Sequence, residues 1–150
     1  MPAEGFSNQV DRMQIRVFSE QDRNAVIALW QRCGLTVGWN DPEKDIARKL
    51  QVQPELFLVG ICDQLLVGSA MGGYDGHRGW LYYLAVDPDF RGRGCGRQLV
   101  DAVAARLEVI GCPKINIMVR RSNEPVLDFY LKQGFLEDEV ACLGRRLIDD

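Results

Sequence analysis

The chain reads Val86-Asp87-Pro88-Asp89-Phe90-Arg91-Gly92-Arg93-Gly94-Cys95-Gly96-Arg97-Gln98-Leu99 between an apolar run and a stretch of helical periodicity. Helix N-termini expose unpaired N–H groups and carry about half a positive charge. Glycines let the backbone approach a ligand without a Cβ clash, and arginines add charge for the same anion. We therefore expect this turn to form an anion-binding site.

Spacing separates this turn from the common nucleotide-binding motifs. Its glycines stand at positions 92, 94 and 96, whereas a GxGxxG fingerprint that starts at Gly92 would need its third glycine at position 97, which is Arg97. No GxxxxGK[ST] sequence occurs either. The simpler interpretation is a glycine-rich turn that only connects a strand to a helix. Three arginines at the helix start disfavour that interpretation.

Outward from the turn, hydrophobic periodicity predicts one domain with the order β-α-α-β-β-β-α-β-α-β-β. Strands are predicted at residues 14–18, 56–62, 65–71, 80–86 and 114–119, with a closing hairpin at residues 143–148. Helices are predicted after Ser19, from Asp41, from the glycine-rich turn to Gly111, and from Glu124 to Gly134. Residues 1–13 are polar, and we expect a flexible leader there before a single domain at residues 14–150.

Composition excludes several classes of protein. The 150 residues are 47% hydrophobic and 26% charged with a net charge of −3, which is typical of one globular domain and offers no extended basic face for nucleic acid. Apolar runs fall far short of the ~20 residues of a membrane span. The five cysteines form no CxxC pair and the chain has one histidine, so no metal site is indicated. We expect a cytoplasmic protein with reduced thiols and no nucleic-acid or membrane partner.

Two motifs resemble the GNAT family of N-acetyltransferases. Residues 91–96 match its [Q/R]xxGx[G/A] signature, and Asn123 with residues 129–135 resembles its closing N…(F/L)YxxxGF motif. The resemblance spans residues 14–148, and residues 39–42 and 72–80 are further similar to the small bacterial YpeA-type branch. It implies an α/β (α+β) fold whose central mixed, mostly antiparallel twisted sheet of six to seven strands is flanked by about four helices.

The resemblance also implies an activity. Members of the family are acyltransferases that move an acetyl group from acetyl-CoA, as cosubstrate and without a metal, to a primary amine that attacks the thioester directly. The acceptor would be an amine-bearing small molecule or peptide. Two alternatives stay open: a non-catalytic acyl-CoA-binding or sensing module, and a protein N-terminal or lysine acetyltransferase. A homodimer is compatible with the resemblance, although no residue pattern specifies an interface.

Cofactor-binding residues follow from the same resemblance. In the family the fourth strand is bulged and splays from the fifth, and the pantetheine arm pairs with its backbone. The corresponding positions are Leu84, Ala85 and Val86 on the strand, Arg91, Gly92, Arg93, Gly94, Cys95, Gly96 and Arg97 in the turn, and Asn123 and Tyr130 near the last helix. Cys95 is expected to pack as a small side chain beneath the turn, and Asn123 could equally act as a helix cap.

Tyr130 matches the family tyrosine that protonates the departing thiolate. A phenol with a pKa near 10 remains protonated at neutral pH and suits this task, although a tyrosine on an apolar helix face is often only core. No general base can be carried over, because Met118 and Trp80 occupy the positions at which family members place a glutamate. Several groups could substitute for it: Tyr82 or Tyr83 acting through water, Asp75 or His77 from the preceding loop, or a backbone-held water chain. Of these, His77 and Tyr82 are the candidate catalytic bases.

Acceptor recognition in this fold generally comes from the first two helices with their loop, residues 35–42, and from the final hairpin. Trp39 and Asn40 are therefore candidate substrate-binding residues, together with Asp75 from the loop before the fourth strand. The alternative is structural: Asp41 would cap a helix and Trp39 would be a packing anchor.

Overall fold

The structure, a computed structural model, describes residues 12–150. The predicted leader lies outside the described residues except at its end. There, Met13 is buried and its thioether packs against Gly60, at a point where a Cβ would leave no room for it. The folded part of the chain therefore includes Met13.

The elements follow the predicted order through the last helix. The strands are β1 (Gln14–Val17), β2 (Phe57–Cys62), β3 (Leu65–Tyr74), β4 (Gly79–Val86) and β5 (Ile115–Ile117). The helices are α1 (Arg23–Arg32), α2 (Pro42–Lys49), α3 (Cys95–Val109) and α4 (Glu124–Leu131). Single 3₁₀ turns occur at Glu20–Asp22, Pro54–Leu56 and Pro88–Phe90.

The sheet has the order β1-β2-β3-β4-β5, antiparallel from β1 to β4 and parallel between β4 and β5. The predicted mixed, mostly antiparallel sheet is thus confirmed. Asp63 and Gln64 form the predicted hairpin turn between β2 and β3, and both have positive φ angles, 46° and 66°. The predicted loop at residues 72–79 is shorter than expected, because β3 continues to Tyr74.

The strand count is a correction. The described residues form five strands rather than six to seven, because residues 132–150 form no strand and the predicted hairpin at 143–148 is absent. Only three residues of β5 pair with the sheet, so the edge is too short to template a hairpin. The C-terminal segment is held by side chains instead. Lys114 pairs with Asp138 at 2.8 Å, and Arg146 donates to Asn40.

Two apolar clusters cover opposite faces of the sheet. Trp30 of α1 and Ile46 of α2 pack with Phe57 on one face, whereas Leu99 and Val103 of α3 pack on the other. Asp41 caps α2 by accepting from two backbone amides, as predicted. These layers fix the positions of α2, α3 and α4 around the end of the sheet at which β4 and β5 separate.

Candidate active site

The candidate site lies where β4 and β5 diverge. They pair only from Gly79 opposite Ile115 to Leu81 opposite Ile117, while β4 continues to Val86. Beyond Leu81 the edge of β4 that faces β5 therefore has no strand partner. Backbone N–H and C=O groups in a groove need hydrogen-bonding partners, and an extended ligand arm can supply them as an added strand.

A β-bulge opens this groove further. The pairing of β3 with β4 shifts from Ser69 opposite Ala85 to Met71 opposite Tyr82, so that Tyr83 and Leu84 together face one residue of β3. Tyr83 has a φ of 50°, in the left-handed region that non-glycine residues seldom adopt. One extra residue of this kind bends a strand and redirects its backbone. The bulge implied by the family resemblance is therefore present at Tyr83 and Leu84.

Buried side chains hold the bulge. The Ser69 hydroxyl, which is fully buried, donates to the Tyr83 carbonyl oxygen at 2.8 Å and accepts from the Trp30 indole N–H at 2.9 Å. The Trp30 and Tyr83 rings stack with centroids 3.8 Å apart. An unfavourable φ angle persists only when its surroundings specify it, and here two hydrogen bonds and a ring stack do so.

The Tyr83 side chain reaches α2. Its hydroxyl donates to Asp45 Oδ2 at 2.5 Å, and Asp45 Oδ1 accepts from Arg48 at 3.2 Å. Burial, together with the hydrogen bond to Asp45, raises the pKa of Tyr83 well above its ordinary value. The phenol therefore stays protonated and keeps the start of α2 attached to the bulge.

A cavity of about 730 Å³ occupies this opening. One wall is α2 with the loop before it, the floor is β3 and β4, and the opposite wall runs from β5 to α4. Five of the predicted site residues line it: Asn40, Tyr82, Leu84, Asn123 and Tyr130. This volume lies within the range of small-molecule sites.

Tyr130 lies on the wall formed by α4. Its ring makes edge contacts with Phe129 and Phe135, at centroid distances of 4.9 and 5.3 Å. Burial raises its pKa well above the ordinary value of a phenol, so the hydroxyl holds its proton across the neutral range. Nearby, Asn123 occupies the N-cap position of α4, but its side chain makes no capping hydrogen bond.

The glycine-rich turn leads from β4 into α3. Gly92 and Gly94 have φ angles of 78° and 79°, and no atom lies within 4 Å of the Cβ that a side chain would add at either position. Gly94 is the N-cap of α3 and no side chain caps this helix, so its first amide groups are available to an anion. Cys95 is buried beneath the turn, as expected.

Side chains around the turn tie it to its neighbours. Arg91 Nε donates to the Val86 carbonyl oxygen at 3.2 Å, and the Arg93 guanidinium lies 5.0 Å from the centre of the Phe90 ring. A Cβ on Gly96 would lie 3.0 Å from the Phe129 ring, so this glycine allows α3 and α4 to approach each other. The turn therefore fits a pyrophosphate through its backbone, with exposed arginines nearby.

Of the predicted catalytic and substrate-binding residues, three do not line the cavity. The Asp75 carboxylate accepts from the backbone N–H groups of His77 and Arg78, both at 2.8 Å, and these bonds lower its pKa. This turn closes on itself and leaves His77 exposed, away from the cavity lining. Trp39 is 54% exposed, with the Arg120 guanidinium 5.8 Å from its ring centre.

Of the two residues predicted as general base, His77 lies outside the cavity lining. Tyr82 lines the cavity, but burial raises its pKa, which makes its phenolate less accessible at neutral pH. Asp45, which sequence reasoning missed, is the one carboxylate among the described residues that line the cavity. It is therefore the acidic side chain best placed to interact with an incoming amine.

Sequence reasoning also missed three cations in the cavity wall: Arg48, Lys49 and Arg120. Lys49 stands three residues after the buried Ile46, on the side of α2 that faces the sheet, and this spacing was the available signal. Its ammonium is buried and donates to the Gly72 carbonyl oxygen at 2.5 Å. Within residues 12–150, no group of three or more His, Cys, Asp or Glu side chains is arranged to hold a metal ion.

Several known proteins are similar to the chain in sequence. The sequence profile of the acetyltransferase (GNAT) family matches residues 23–135. An acetyltransferase of Pectobacterium atrosepticum is 51% identical over 92% of this chain and 98% of the relative, and one of Sodalis glossinidius is 52% identical with the same coverage. None of the described helices is long and apolar enough to span a membrane.

Two solved structures are similar in fold. The aminoglycoside N-acetyltransferase AAC(6')-Iy in complex with CoA has a TM-score of 0.75 and 20% identity, with 93% of this chain and 98% of that one covered. The ribosomal-protein-S18-alanine N-acetyltransferase of Escherichia coli has a TM-score of 0.70 and 25% identity, with 85% and 79% covered. These similarities extend over most of the five-stranded sheet and its helices.

Proposed function

The chain belongs to the acetyltransferase (GNAT) family and is an N-acetyltransferase, and on that premise we propose that it transfers an acetyl group from acetyl-CoA to a primary amine by direct attack on the thioester. The observation that carries the proposal is the unpaired edge of β4 beyond Leu81. It runs from a cavity lined by Tyr130 to a glycine-rich helix N-terminus, which gives one continuous path for a thioester and its phosphates.

The cofactor would bind largely through backbone. Leu84, Ala85 and Val86 pack their side chains into the two apolar clusters, so a pantetheine arm would contact this segment through the backbone edge that faces away from β3. The amides at Gly92 to Gly96 would hold the pyrophosphate, with the exposed Arg91, Arg93 and Arg97 adding positive charge. Asn123, whose amide does not cap α4, is free to contact the same ligand.

The residues of the cavity have separate tasks in transfer. Acetyl-CoA supplies an activated thioester, and backbone N–H groups at the bulge of β4 would stabilise negative charge on its carbonyl oxygen. The Tyr130 hydroxyl would donate its proton to the departing thiolate. Its raised pKa keeps the phenol protonated for this role. Asp45 would bind the acceptor's ammonium group and take up the proton that must leave before attack.

The test has two stages. Calorimetric titration with acetyl-CoA should show micromolar binding, and a screen of small-molecule and peptide amines should then show release of CoA thiol that depends on the amine. Binding without amine-dependent thiol release would favour a binding or sensing module instead. No binding of acetyl-CoA would overturn the proposed activity.

A further inference from the structure

The acceptor side of the cavity carries excess positive charge. Its lining includes one acid, Asp45, and three cations, Arg48, Lys49 and Arg120. Arg48 is neutralised by Asp45 and by Asp150, with which it forms a second ion pair. Lys49 and Arg120 form no ion pair with any carboxylate in the part of the chain that the structure describes. Burial lowers the pKa of Lys49, and Glu55 opposes this shift only through space, so the wall presents two cations without a direct carboxylate partner.

Lys49 is the more unusual of the two. The residue is only 9% exposed, yet of its three N–H donors one is used, by the Gly72 carbonyl oxygen. That carbonyl lies past Met71, the last residue of β3 that pairs with β2, so Lys49 replaces a missing strand partner there. A buried ammonium is costly unless further hydrogen bonds or an opposite charge compensate it, and its other donors adjoin the cavity.

Arg120 stands on the opposite wall, after β5. Its guanidinium lies near the exposed ring of Trp39 and remains accessible, and its planar fork of donors matches the two oxygens of a carboxylate. None of residues 91–97, which form the turn proposed for the pyrophosphate, lines this cavity. The phosphates of a bound cofactor would thus lie at the other end of the groove and would not neutralise Lys49 or Arg120.

We infer that the acceptor is an amine that also carries a carboxylate, with Lys49 and Arg120 binding the carboxylate while the amine reaches the bulge of β4. The inference rests on the proposed function and specifies its substrate class. An amine without an anionic group enters as a cation and is repelled by the wall, and a polyamine is repelled more strongly. An aminocarboxylate would bring a carboxylate into direct contact with the buried ammonium, which Glu55 does not do.

The experiment uses the full chain with saturating acetyl-CoA and matched acceptors. Glycine, 3-aminopropanoate, 4-aminobutanoate and glutamate are each compared with the corresponding uncharged amide, and spermidine serves as the polycation. We expect kcat/KM for the best carboxylate to exceed that for its amide at least about tenfold, the usual scale for a charged hydrogen bond. Lys49→Met should remove most of this preference while leaving acetyl-CoA affinity unchanged.

Two further variants keep the test independent of folding. Arg120→Met changes an exposed residue and should reduce the same preference by several fold, whereas Lys44→Met on the exposed side of α2 should not alter it. Equal use of acids and amides, a preference for spermidine, or no binding or turnover of any carboxylate by an enzyme that binds acetyl-CoA would overturn the inference. Loss of acetyl-CoA binding in the wild type would instead reject the proposed function.

Discussion

The proposed cofactor side of the groove is built from backbone, whereas the proposed acceptor side is built from side chains that the fold collects from distant segments. On the first side, the edge of β4 and the turn at Gly92 and Gly94 present N–H and C=O groups. On the second, Lys49 comes from α2 and Arg120 from the segment after β5. A site built from the backbone of one turn needs glycines at fixed spacing and so leaves a sequence motif. Side chains collected from separate segments leave no such motif.

The largest expected effect is on the cofactor side, in Gly94→Glu. The added carboxylate would stand at the anion-binding end of α3, in space that is open in the structure, and would oppose a pyrophosphate by charge and by volume. We expect acetyl-CoA affinity to fall at least about 100-fold, measured by calorimetry.

Gly76→Glu is the matched control for this change. Gly76 also has a positive φ, 90°, and open space around its Cβ, but it lies in the Asp75 turn away from the cavity. Both variants carry the same backbone strain and the same charge. If both variants lose the same acetyl-CoA affinity, the added charge acts by destabilising the fold rather than by opposing an anion at the glycine-rich turn.

Next in size is Tyr130→Phe, which removes one hydroxyl and keeps the ring contacts with Phe129 and Phe135. General acids contribute about 10²–10⁴-fold, so we expect kcat to fall about 100-fold with acetyl-CoA affinity unchanged. Because burial raises the pKa of Tyr130, wild-type kcat should show no decline from its ionisation below about pH 10. An unchanged kcat in the variant would remove Tyr130 from the mechanism.

The cofactor side was largely predictable from the sequence because its requirements are local. Glycines at 92 and 94 adopt the positive φ angles that the turn needs, and Asp41 caps α2 as its position indicated. The register shift at Tyr83 was different. It was implied by the family resemblance alone, since a tyrosine with positive φ has no local signature. The buried Ser69 and Trp30 that hold it lie 39 residues apart.

The acceptor side and the C-terminal segment were less predictable because they depend on tertiary contacts. The sequence places the polar Asp75 and His77 just before β4, but the Asp75 carboxylate is used within its own turn. The polar segment at 143–148 is predicted as a closing hairpin, but it forms no strand, and the Leu143 and Leu147 side chains are exposed. Ion pairs with Arg48 of α2 and with Lys114, just before β5, rather than a backbone ladder, position that segment.

Ser69→Ala tests whether the bulge links the two sides. The change leaves the Trp30 N–H and the Tyr83 carbonyl without their partner, and each orphaned group costs about 1–3 kcal/mol. At about 2–4 °C per kcal/mol, the melting temperature should fall by several degrees. We also expect KM for acetyl-CoA to rise about fivefold, a loss of about 1 kcal/mol in binding, because β4 would no longer be fixed in its bulged form.

Trp30→Phe separates these two effects. It removes the indole N–H and leaves a cavity in the core, which should cost at least as much stability, yet the Ser69 hydroxyl can still donate to Tyr83. We expect KM for acetyl-CoA to stay near the wild-type value. If KM rises in both variants in proportion to lost stability, the bulge has no special role in cofactor binding.

The smallest expected effect is that of His77→Ala, because the side chain is exposed and lies outside the cavity lining. Surface changes of this kind alter stability by about 0.5 kcal/mol or less, and we expect kcat/KM to stay within about twofold at every pH. Asp45→Asn is the informative partner: an amide can still accept from the Tyr83 hydroxyl but cannot take a proton, so kcat/KM should fall about tenfold or more. If His77→Ala instead removes the acidic limb of the pH profile of kcat/KM, the loop before β4 must close over the cavity during catalysis. The site would then have a third, mobile part besides the side built from backbone and the side built from side chains.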